Sequence, residues 1–100
     1  MRRTRYSPHA ARQLEDLYEY VTQASGPDRA NAFVGSIVDY CDRLATSPHR
    51  GTRRDDLSPG LRIVGFRRRV TIAFSTTNES VEILGVFYGG RSFETLLKNE

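Results

Sequence analysis

The sequence predicts an α+β domain in which an antiparallel sheet packs against a helical hairpin. Three observations carry this: two stretches of helical hydrophobic period in the first half, short Val-, Ile- and Phe-rich runs in the second, and a Pro/Gly-marked loop between them. With 100 residues, of which 38% are hydrophobic and 27% charged, the chain has material for one modest core, so residues 1–100 read as a single domain. Five Tyr, five Phe and a net charge of only +3 separate it from disordered chains.

The elements follow in order. Arg2 to Tyr6 is short and alternating, as a strand is, and Ser7-Pro8 supplies an N-cap followed by proline at the first helical position. Leu14, Leu17, Tyr18 and Val21 then recur at helical spacing. Gly26-Pro27 closes this helix and opens the next, whose stripe is Ala30, Phe33, Ile37, Cys41 and Leu44. Thr46 to Gly60 has no helical period and reads as a loop. Leu61 to Phe66, Val70 to Ser75 and Val81 to Tyr88 have strand composition, and connections this short make an antiparallel meander. Alternation places Val70, Ile72 and Phe74 on one face with Val81, Ile83 and Phe87, under the helices, and turns Arg62 away from that face. Phe93, Leu96 and Leu97 suggest a short C-terminal helix, giving the order β-α-α-β-β-β plus a helical tail.

The lone Cys41 excludes a disulfide framework and any cysteine-based zinc site, and His9 and His49 alone do not make a metal centre. No cofactor or metal is expected. Cys41 sits on the apolar stripe, where a thiol serves as a small hydrophobe. No run approaches a membrane span and no apolar stretch follows the basic N-terminus, so a cytoplasmic protein without membrane contact is expected.

Positive charge is concentrated between Arg50 and Arg69, and 14 of the 15 basic residues are arginine, a side chain suited to bidentate contact with carboxylate or phosphate. The candidate binding set is Arg53, Arg54, Arg62, Arg67, Arg68, Arg69 and Arg91, with Tyr88 at the end of the last strand. No nucleophile triad, phosphate-binding glycine loop or paired-carboxylate motif accompanies it. The surface suits an acidic protein segment or phosphates, which leaves a small nucleic-acid-binding module among the readings.

The helical hairpin, then Asp56-Leu57-Ser58-Pro59-Gly60-Leu61-Arg62, then Val81-Glu82-Ile83-Leu84-Gly85-Val86-Phe87-Tyr88-Gly89-Gly90-Arg91, resembles the ParE branch of the RelE/ParE toxins of bacterial toxin-antitoxin systems. The resemblance covers nearly the whole chain. Gly85, Tyr88 and Ser92 stand where that family often has Arg, His and Asp. It implies a plasmid-stabilisation type of toxin that binds and inhibits DNA gyrase, neutralised by a ParD-like antitoxin in a complex of two-plus-two stoichiometry, with operator DNA reached only through the antitoxin. On this reading Arg62, Arg67, Arg68, Arg69, Arg91 and Tyr88 form the antitoxin- or target-binding surface. The RelE branch implies the alternative, a ribosome-dependent mRNA endonuclease using Tyr88, Arg91 and Arg62. Such cleavage needs a group to take a proton, and the three predicted strands hold no His or Lys and only Glu82 as an acid.

Overall fold

The chain opens with strand β1 (Arg3–Tyr6) and turns at Ser7 into helix α1 (Pro8–Ser25) in the computed structural model, which describes residues 2–89. Ser7 Oγ accepts the Ala10 N–H at 3.0 Å, and Pro8 takes the first helical position, where a missing N–H costs nothing. Gly26, at φ 93°, ends α1 and starts α2 (Pro27–Leu44). Its N–H closes the last turn on the Thr22 carbonyl at 2.8 Å, and glycine meets that φ without strain. The two helices therefore reverse direction in a single residue.

Strands β2 (Thr52–Arg53), β3 (Arg62–Phe66), β4 (Val70–Thr76) and β5 (Ser80–Tyr88) complete a five-stranded sheet in the order β1-β5-β4-β3-β2. β2 to β5 form the antiparallel meander, and β1 adds to β5 in parallel, which makes the sheet mixed. Parallel pairing needs a long connection, and the whole helical hairpin supplies it. Leu17, Ile37, Cys41 and Leu44 pack over Ile72, Phe74, Ile83 and Val86 to form the main core. A second, smaller cluster of Leu61, Ala73 and Phe87 lies apart from it, joined by Leu57, Ile63 and Leu84.

Three expectations are corrected. The loop after α2 contains β2, two residues that pair with Arg62 and Ile63; a strand that short has no periodicity to read. Phe87 does not join Val81 and Ile83 in the main core, because the β4–β5 register shifts between Ala73 and Phe74. Leu84 is the extra residue of this bulge, so Val86 inherits the helix-facing position and Phe87 moves to the other cluster. Arg62 does not turn away from the helix face either. It stands opposite Phe74 of the main core, on the same side of β3 as Val64 and Phe66, while Leu61 and Ile63 belong to the second cluster. The expected C-terminal helix, with Arg91, lies outside the described residues.

The bulge explains a glycine. A Cβ at Gly85 would stand 2.6 Å from the Phe87 ring, which lies over that position. Phe87 is 2% exposed and has nowhere to yield, so Gly85→Ala is expected to cost about 1–3 kcal/mol, read as a lower urea midpoint.

Cys41 is fully buried beside Tyr6, whose buried hydroxyl has no hydrogen-bond partner among the described residues. Burial lifts the Cys41 thiol from about 9 to about 11, and burial together with the Cys41 charge raises the Tyr6 phenol as well. With the folded value above the unfolded one, the neutral thiol supports folding fully below pH 9, and that support is lost as pH rises toward 11. The urea midpoint is expected to fall across that window, and a thiol reagent at pH 7 to modify Cys41 only at the rate of unfolding.

Candidate functional site: an aromatic and arginine groove

Where β5 ends beside the helices, three aromatic rings meet. Tyr88 lies 5.9 Å from Tyr20 of α1 and 5.9 Å from Phe33 of α2, the second pair edge to face at 80°. Tyr20 is 59% exposed, the single exposed large hydrophobic among the described residues. Two adjoining depressions share Tyr20 and Tyr88. One, of about 470 Å³, opens between α1 and β5 and includes Asp16 and Arg69. The other, of about 500 Å³, runs toward α2 and includes Phe33, Arg29 and Arg67.

The arginines reach this groove because of an unusual turn. Arg67 and Arg68 join β3 to β4 with φ of 51° and 66°, left-handed values that side chains seldom adopt. The Arg69 N–H closes on the Arg67 carbonyl at 2.7 Å, a γ-turn centred on Arg68. The Arg69 carbonyl then accepts the Gly89 N–H at 2.8 Å, which fastens the turn to the end of β5 beside Tyr88. Arg67 lies 5.3 Å over the Phe66 ring, and that ring stacks on Tyr40 at 4.8 Å. Strain of this kind is kept where the surrounding structure or function demands it. Arg68→Gly is expected to relieve it and to raise stability by up to about 1 kcal/mol, seen as a higher melting temperature.

The other predicted arginines separate into two groups. Arg53 pairs with Asp55 at 3.0 Å, and Arg54 grips both oxygens of Asp56 at 2.9 Å. The Gly60 N–H and Arg53 hold the Asp55 carboxyl below its ordinary range. Much of the charge in the β2–β3 loop is thus answered locally. Arg62 Nη1 donates to the His49 carbonyl at 3.1 Å, at the opposite end of β3 from Arg67. Five residues of strand separate the two by roughly 16 Å, so Arg62 does not join the groove. Among the described residues no carboxylate forms an ion pair with Arg67, Arg68 or Arg69. Arg91 lies outside the described residues. Of the predicted set the structure brings together Arg67, Arg69 and Tyr88, with Arg68 at the crown of the turn.

Sequence reasoning missed Tyr20 and Arg29. A second stripe on α1 carries the signal for Tyr20, since Gln13, Leu17, Tyr20 and Ala24 fall at i, i+4, i+7 and i+11 and all line the two depressions. Chemically the groove offers aromatic faces and guanidinium donors, a surface that recognises an apolar segment bearing carboxylates. His9 lines a different depression with Leu57 and Leu84, and no group of three metal-ligating side chains occurs among the described residues. No helix among them is long and apolar enough to cross a membrane.

Comparison with known proteins decides the family. Residues 4–93 match the ParE toxin of type II toxin-antitoxin system, parDE. The chain belongs to the ParE toxin family. Among solved structures the fold of this ParE-family toxin is similar to that of the chromosomal ParDE TA system from P. aeruginosa, with a TM-score of 0.75 and 23% identity over 89% of this chain and 97% of that one. No curated protein matches the sequence. The ParE-type fold thus has the helical hairpin on one sheet face and a strained arginine turn at the open end of the groove.

Proposed function

We propose that this ParE-family toxin acts by binding and jamming DNA gyrase without catalysis, and that a ParD-like antitoxin neutralises it by filling the Tyr20–Phe33–Tyr88 groove. The observation that carries the antitoxin part is the groove itself, which sets an exposed tyrosine beside arginines with no carboxylate of their own. A mobile antitoxin segment with alternating apolar and acidic residues orders there, its carboxylates meeting Arg67 and Arg69. Two toxins on an antitoxin dimer give the two-plus-two complex, and operator DNA is reached through the antitoxin alone.

The binding reading is also supported by what lies apart. Tyr88 pairs through Val70 with Phe66, whereas Arg62 pairs with Phe74, four residues along β3. That is roughly 13 Å, too far for one phosphate to touch both. The test is a supercoiling assay with purified gyrase, relaxed plasmid and ATP, titrated with toxin alone and with antitoxin added. Loss of supercoiling or accumulation of cleaved plasmid, reversed by antitoxin, is the expected result. No effect at large excess would move the target to the ribosome, with Tyr88 and Arg91 the residues to mutate there.

A further inference from the structure

β1 is shorter than its neighbour. Its last pair with β5 is Tyr6 with Ile83, and the Ser7 N–H extends the ladder by one bond to the Ile83 carbonyl at 2.9 Å. Beyond that point β5 continues for five residues with no strand on its outer side. Backbone groups left so at the edge of a core need other partners. α1 provides them from side chains. Ser7 Oγ donates to the Leu84 carbonyl at 3.2 Å, and Gln13 Oε1 accepts the Val86 N–H at 2.7 Å.

These two bonds bracket the bulge at Leu84, and the bulge decides which aromatic enters the groove. In an unbroken strand Phe87 would share the helix side with Val81 and Ile83, and Tyr88 would face the other way. The extra residue reverses this: Val86 and Tyr88 pack toward the helices and Phe87 moves to the second cluster. The two registers differ by one residue, and both present an aromatic to each side. Sheet composition alone does not choose between them.

We propose that Gln13 is the positioning residue that makes the choice. Its carboxamide oxygen holds the Val86 N–H in the bulged register and so delivers Tyr88, rather than Phe87, to Tyr20 and Phe33. Gln13 also lines the first depression, so it stands between the groove and the strand whose register it fixes. Phe87 is kept on its own side by Gly85, which leaves room for the ring only in this register.

The importance of this choice for binding rests on the reading of the groove as the antitoxin site, so the test measures register and binding separately. Gln13→Leu keeps the side-chain bulk and removes the acceptor; Gln13→Glu keeps an acceptor, now charged. Both are made in the full chain. Nuclear Overhauser contacts between the Tyr88 and Phe33 rings, and protection of the Val86 amide from exchange, report the register without any partner. Gln13→Leu is expected to lose both and Gln13→Glu to retain both. A Gln13→Leu protein that keeps the Tyr88–Phe33 contact and the protected amide would overturn the proposal. If Gln13→Leu fails to fold, Gln13→Ser, whose side chain is too short to reach Val86, takes its place with the same expected losses. The groove reading is tested by Tyr88→Ala, with at least about a tenfold loss of affinity for purified antitoxin expected. Unchanged affinity there rejects the groove as the antitoxin site while the ring contacts still decide the role of Gln13.

Discussion

Phe74→Ala is expected to destabilise the protein by about 3–5 kcal/mol, the largest loss any single side-chain truncation should produce in this chain. Phe74 is fully buried on β4, opposite Arg62 on one side and Ile83 on the other. It belongs to the cluster that joins Ile37, Cys41 and Leu44 of α2 to the sheet, and it sits at the register shift, where β4 faces the bulge. Neighbours held by a ladder on both sides have little freedom to collapse into the space left behind, so the cavity cost is added to the lost transfer energy. Domains of this size hold only about 5–15 kcal/mol in total, and the melting temperature should fall by more than about 12 °C. Urea titration is the measurement: the midpoint should move sharply down with an unchanged slope. A loss below about 1 kcal/mol would mean that the bulge lets β5 slide into the gap, and β5 would then be far less fixed than its paired backbone implies.

The same bulge marks the boundary of what the sequence discloses. The helical hairpin is legible because its signals are local: Ser7 caps α1, Gly26 carries the positive φ that separates the helices, and each stripe repeats at one period. The meander is legible for the same reason. The side of Phe87 is not, since period-two reading continues from Val81 and Ile83 unless something interrupts it, and the interruption is held by Gln13, 73 residues away. Arg62 fails for a related reason. Alternation with Leu61 and Ile63 is real, but those two serve the smaller cluster, so the arginine falls on the helix side. At the candidate site, charge clustering led to Arg67 and Arg69, and strand-end position led to Tyr88. Arg53 and Arg54 entered the same set although Asp55 and Asp56, each two residues on, answer them. That spacing was in the sequence; the loop geometry that lets it form ion pairs was not.

Reversing charge at Arg67 and Arg69 together should weaken the complex with antitoxin by about a hundredfold, close to tenfold for each position. Both residues flank Tyr88, one in each depression, and neither forms an ion pair with a carboxylate among the described residues. Replacing them by glutamate therefore breaks no ion pair of that kind within the toxin, and the effect falls on whatever docks against the groove. An acidic segment would lose two attractions and meet two repulsions. The loss should shrink as salt rises, because partly exposed charges are screened within about 10 Å at 0.1 M. Arg3→Glu/Arg5→Glu is the matched control: it changes net charge equally, on the edge strand β1, where both side chains are exposed. Calorimetric titration at low and high salt separates the cases. A large loss for the groove pair with less than about a twofold change for the edge pair places the antitoxin between α1, α2 and the arginine turn. Equal losses would show that only net charge matters, and no loss from either would send the antitoxin to the opposite sheet face, where Leu57 and Leu84 border the remaining apolar depression.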